Sequence, residues 1–134
     1  MLGLVTIGQS PREDIVSAMF VGRDLSRLHQ EGALDHLGRA AMNRLAPTNE
    51  DELLVSRLRS GEQVTLSKSH LLPYLQAAIL RAEDAGCTII CVLCTGSFSE
   101  LESKSRLVFP DKLIEAVVDA LVPNGVLGAL VPDR

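Results

Sequence analysis

Tryptophan is absent from this chain, and one tyrosine and three phenylalanines bring its aromatic content to only 3% of 134 residues. Proteins that hold single-stranded nucleic acid stack its bases on aromatic rings, and this sequence has almost none to offer. Surplus positive charge is missing as well: 13 Lys and Arg stand against 17 Asp and Glu, a formal net charge of -4. Tracking a phosphate backbone requires the opposite balance, so a nucleic-acid partner is disfavoured. No apolar run approaches the roughly 20 residues of a membrane-spanning helix. The apolar start Met1–Ile7 is short and has neither a basic leader nor a small-residue cleavage site, so it reads as a strand and not as a secretory signal. Three histidines, His29, His36 and His70, are scattered and compose no Ser-His-Asp order. Three cysteines, Cys87, Cys91 and Cys94, lack the paired spacing of a disulfide framework, which fits a reducing compartment and a cytoplasmic location.

What is present is aliphatic: 46% hydrophobic residues, mostly Leu, Val, Ile and Ala, enough for one packed domain over residues 1–134. The pattern alternates strand and helix, which predicts an α/β fold with a mostly parallel sheet flanked by helices in three layers. Leu2–Ile7 is the first strand. Ser10 as N-cap and Pro11 in the first turn then open a helix with Ile15, Val16, Met19 and Phe20 on its apolar face. Residues 25–34 are mixed, and Asp35 is placed to cap a helix over 36–45. Glu52–Leu58 and Gln63–Ser67 flank a turn and predict a β-hairpin, whose charges Arg57, Arg59, Glu62 and Lys68 read as a solvated face. His70–Ala85 has the clearest helical stripe and ends at Gly86. Cys87–Leu93 reads as a central strand covered on both faces. A loop over 94–106, a helix from about Pro110, and a strand Val126–Val131 follow, after which the alternation breaks off.

In open α/β sheets, ligands bind beyond the carboxyl ends of the strands, where the loops Gly8–Arg12 and Cys94–Phe98 belong. Gly8-Gln9-Ser10-Pro11-Arg12 offers polar side chains, an arginine and helix-start N–H groups suited to a carboxylate or phosphate; the bland reading, and the commoner one for Ser before Pro, is a plain helix cap. Cys94-Thr95-Gly96-Ser97-Phe98 sets a thiol directly after a buried strand, where N–H dipoles would lower its pKa for proton abstraction or attack. A buried structural cysteine is the competing reading, and it is the one assigned to Cys87 and Cys91. Cys91 and Cys94 have C-x-x-C spacing, but a redox pair belongs at a helix start and a zinc site needs a second ligand pair. In a continuous strand the two would point to opposite faces. No metal and no cofactor is expected.

The segments Thr6–Asp14, Glu31–Asp35, Cys94–Phe98 and Val131-Pro132 together resemble the AroM family, in its order and spacing. That family looks distantly similar to the aspartate/glutamate racemase superfamily, in which two like α/β halves enclose a cleft and a strand-end cysteine is an acid/base catalyst. The resemblance implies that Cys94 moves a proton next to a carboxylate and that Thr95, Gly96 and Ser97 supply hydrogen bonds. Gln9, Ser10 and Arg12 would anchor the substrate. It also implies a racemase-like half-domain truncated at the C-terminus: the first half plus the first strand of a second half that is absent beyond Arg134. Gly96 departs from the residue usual at its motif position.

Three functions follow as expectations. The first is a cofactor-independent racemase, isomerase or lyase acting on a small carboxylate through Cys94. The second is a non-catalytic protein that binds or senses a small anion. The third, a chain that folds with a partner, predicts exposed apolar surface and a homo-oligomer.

Overall fold

The computed structural model describes residues 1–48 and 52–128. Its sheet has four strands, β1 (Leu2–Thr6), β2 (Leu28–Gly32), β5 (Ile89–Leu93) and β6 (Arg106–Val108), in the order β2-β1-β5-β6. All three pairings are parallel, as an α/β alternation requires. At the carboxyl end Thr6 pairs with Gly32 on one side and with Leu93 on the other. The hairpin of β3 (Leu53–Arg57) and β4 (Gln63–Ser67) forms a separate antiparallel pair, turning at Gly61 with φ of 86°. Helices α1 (Glu13–Met19), α2 (Arg39–Asn43), α3 (Lys68–Asp84) and α4 (Pro110–Leu121) complete the described chain. None of them is long and apolar enough to cross a membrane.

The core lies between the sheet and α3. Leu71, Leu75, Ala78, Ile79 and Ala82 recur at helical spacing, are fully buried, and join Val5, Ile90 and Val92 in one cluster. The helix starts where Ser67, the N-cap, accepts the His70 N–H, and it ends before Gly86, whose φ of 87° an L side chain rarely adopts. Full burial of each large aliphatic side chain contributes about 1.5–3 kcal/mol, so α3 is the principal stabilising layer.

Several expectations change. Helix α1 begins at Glu13, not with a Ser10 cap, because the Ser10 hydroxyl is committed to Asp35. Helix α2 begins at Arg39 with Gly38 as N-cap, since Asp35 serves that loop instead. The mixed segment 25–34 contains the edge strand β2; its polar residues hide it, yet they are used. Arg81 bridges from α3 to Glu31 at 2.9 Å, His29 meets Glu31 at 3.0 Å, and Gln30 accepts the Arg12 N–H at 2.9 Å. The expected loop 94–106 reaches a short strand, β6. β5 is central but not covered alike on both faces: Ile90 and Val92 are buried, while Ile89, Cys91 and Leu93 keep part of their surface open. Helix α4 has no buried residue, and Leu113, Ile114, Val117 and Leu121 are all more than half exposed. Of the expected strand Val126–Val131, residues 126–128 carry no strand, and the remainder lies outside the described residues.

Candidate functional site

The order β2-β1-β5-β6 reverses direction between β1 and β5. From β1 the chain moves outward through α1 to β2, and from β5 it moves the opposite way to β6. The loops leaving the carboxyl ends of two such strands diverge and leave a crevice, the usual ligand position in open α/β sheets. A cleft of about 500 Å³ opens at this point. Ile7 and Arg12 enter it from the first loop, Ile15 and Met19 from α1, Val55, Ser56, Arg57 and Gln63 from the hairpin. Cys91, Leu93, Cys94 and Thr95 come from β5 and its loop, and Pro110 from the start of α4.

Cys94 reaches the cleft through a local turn. Its N–H donates to the Val92 carbonyl at 2.8 Å, a two-residue return that ends the strand and breaks the alternation of sides. Cys91 and Cys94 therefore line the same cleft instead of opposite faces. Cys91 is partly exposed there, while Cys87 is the fully packed cysteine. Gly96 donates its N–H to the Cys94 sulfur at 3.4 Å and rests against Leu54 and the buried Phe98 ring. Lys68 sits 5.6 Å from the centre of that ring.

Contrary to the expected activation, the Cys94 thiol is pushed above its ordinary pKa of 9.0. Burial is the largest cause; the Gly96 and Thr95 N–H dipoles oppose it, and the negative charges of Asp111 and Glu52 add to it. Burial raises Cys91 and Cys87 also. At neutral pH the resting protein holds Cys94 as a thiol.

The first loop is built differently from the anion cradle the sequence suggests. Gly8 donates to Thr6 Oγ1 at 3.2 Å, Gln9 to the Arg57 carbonyl at 3.3 Å, Ser10 to Asp35 Oδ1 at 2.8 Å and Arg12 to Gln30. Every backbone donor of residues 8–12 thus has a partner inside the protein, Pro11 having none to give. The Gln9 side chain accepts from the Arg59 N–H at 3.0 Å, and the Ser10 hydroxyl donates to Asp35 at 2.6 Å. Arg59 donates to Asp35 at 2.8 Å and to the Ser10 carbonyl. Of the residues singled out from sequence, Arg12, Cys94 and Thr95 line the cleft together. Gln9 and Ser10 are engaged behind it, Gly96 packs beneath the thiol, and Ser97 is exposed outside the lining.

Sequence reasoning passed over Arg57, Arg59 and Asp35. The hairpin charges look like a solvated face until Gly8 lets β3 descend: a Cβ at position 8 would collide with the Arg57 carbonyl and Ser56 Oγ. No His, Cys, Asp or Glu cluster fit to hold a metal occurs among the described residues.

Fold and site together define an α/β protein with a cleft at the topological switch point of a parallel sheet, lined by two free cysteines and two arginines. Comparison with known families gives a match to the one described as AroM protein, over residues 2–134. The chain belongs to the AroM family. No curated protein and no solved structure matches it.

Proposed function

We propose that this chain is a cofactor-independent enzyme of the racemase, isomerase or lyase class, acting on a small carboxylate by proton transfer at Cys94. The observation that carries the reading is the presence of Cys94, Arg12 and Arg57 in one cleft at the β1/β5 switch point. In the reaction the Cys94 thiol first gives its proton to water; the C–H bond next to the carboxylate then breaks and an S–H bond forms on the resulting thiolate. The electron pair moves into the carboxylate, whose added charge the cationic lining stabilises. The new S–H swaps its proton with solvent, and return of a solvent-derived proton from the thiol to the carbon completes exchange. Asp35 and Arg59 keep Gln9 and Ser10 in place behind the cleft and so act as positioning residues. The reading extends the family resemblance and puts the protein in a reducing cytoplasmic compartment.

The thiol form of Cys94 favours a second reading, a protein that binds a small anion without chemistry. Incubation with 2-amino, 2-hydroxy and 2-aryl carboxylates in deuterium oxide separates the two. Loss of the α-proton signal that Cys94→Ser abolishes, with ligand binding retained, supports the enzyme. Binding without exchange across the panel removes it and leaves the binding protein.

A further inference from the structure

We infer that Arg57 is the anion anchor of this cleft, and that the ligand it selects is a monocarboxylate with an apolar body, aliphatic or aromatic, in preference to a dicarboxylate. The inference shares its cleft with the proposed function but does not depend on any reaction at Cys94.

Two arginines line the cleft, and their situations differ. Arg12 is held by Asp14 through two contacts, at 2.8 Å from Nε and 2.7 Å from Nη2, so its charge is already balanced. Arg57 forms no side-chain hydrogen bond and no ion pair among the described residues. Its planar guanidinium is matched to the two oxygens of a carboxylate, and an unmatched one beside an apolar cleft is available for that purpose. The backbone donors that a cradle would otherwise supply are spent inside the first loop.

The rest of the lining sets what can follow the carboxylate. Ile7, Ile15, Met19, Val55, Leu93 and Pro110 give an apolar wall, and Ser56, Gln63 and Thr95 carry no charge. A second carboxylate pressed into this space would be desolvated without a free cation to receive it. It would also approach the negative field that Asp111 and Glu52 set up at Cys94. At about 500 Å³ the cleft has room for a compact aliphatic or aryl group, within the roughly 300–1,000 Å³ of small-molecule sites.

Titration calorimetry with phenylacetate, 4-methylpentanoate and succinate, on the whole chain and on Arg57→Gln, tests the inference. Arg57 is exposed on the hairpin, and thermal melts verify that the variant folds. The expected result is binding of both apolar acids, weakened about tenfold or more by Arg57→Gln and partly restored by Arg57→Lys, as loss of a charge-assisted pair implies. Succinate should bind at least about tenfold more weakly than phenylacetate. Equal affinities for Arg57→Gln and the unaltered protein overturn the inference, as does succinate matching phenylacetate, or neither apolar acid binding. Absent α-proton exchange with Arg57-dependent binding intact defeats the proposed enzyme alone. Cys94-dependent exchange that ignores Arg57 defeats this inference alone.

Discussion

Ser10 and Asp35, 25 residues apart in the chain, are joined twice: the Ser10 N–H donates to Asp35 at 2.8 Å and its hydroxyl at 2.6 Å. The same carboxylate accepts the Gly32 N–H at 2.6 Å and the Arg59 guanidinium at 2.8 Å. One side chain therefore ties the loop after β1, the end of β2 and the hairpin into a single support behind the cleft.

Asp35→Ala should destabilise the protein by about 3 kcal/mol, because four donors, the Arg59 guanidinium among them, lose their acceptor. Ser10→Ala, which removes one of these bonds, should cost about 1 kcal/mol. Urea unfolding of both variants measures the difference. Equal and small losses would mean that Asp35 is not the joint described.

Gly32→Ala should cost more than Gly38→Ala. A Cβ at position 32 would lie 2.6 Å from the Ser10 nitrogen and 2.7 Å from both Asp35 Oδ1 and the Gly8 carbonyl, all held firmly. Overpacking of this kind costs about 1–3 kcal/mol. Gly38 has open space around it and an ordinary φ of -74°, so its alanine variant should change stability by less than about 1 kcal/mol. Thermal melts of the two variants give the comparison.

Alkylation of Cys94, in a chain carrying Cys87→Ala and Cys91→Ala, should be slow at neutral pH and rise with an apparent pKa above 9.0. The folded state favours the neutral thiol, so the thiol's contribution to stability is complete below 9.0 and is lost as pH rises through the folded-state value. An apparent pKa below 9.0 would contradict the buried setting described. A fall to lower pH on adding phenylacetate would show that the ligand changes the thiol's surroundings.

Glu83 should act at the acid end. It accepts from Ser103 Oγ at 2.5 Å, the Lys104 N–H at 2.6 Å and the Ser105 N–H at 3.0 Å, and these hydrogen bonds lower its pKa below 4.5, that of Ser103 first. Its contribution is present above 4.5 and disappears as pH falls through the lowered value. Glu83→Gln should remove this component, so that its stability curve converges on that of the unaltered protein in acid. Parallel curves down to pH 3 would argue against it.

The apolar periodicities were sufficient by themselves for the first strand, the hairpin, the long helix α3, the strand before Cys94 and the helix from Pro110, because each is a local pattern of apolar spacing. The two pieces that escaped detection, β2 and β6, are edge strands; β2 is largely polar and β6 only three residues long. The glycines that matter, Gly8 and Gly32, are recognisable as glycines, but the backbones that press on them come from distant segments. Residue type made Cys94 and Arg12 candidates for the site. Which neighbours they meet was decided by the reversal of strand order between β1 and β5 and by the hairpin resting on Gly8, which turned Arg57 into the cleft and Gln9 and Ser10 out of it. Burial, a property of the assembled chain, then set the Cys94 thiol above its usual pKa where local dipoles alone would have lowered it.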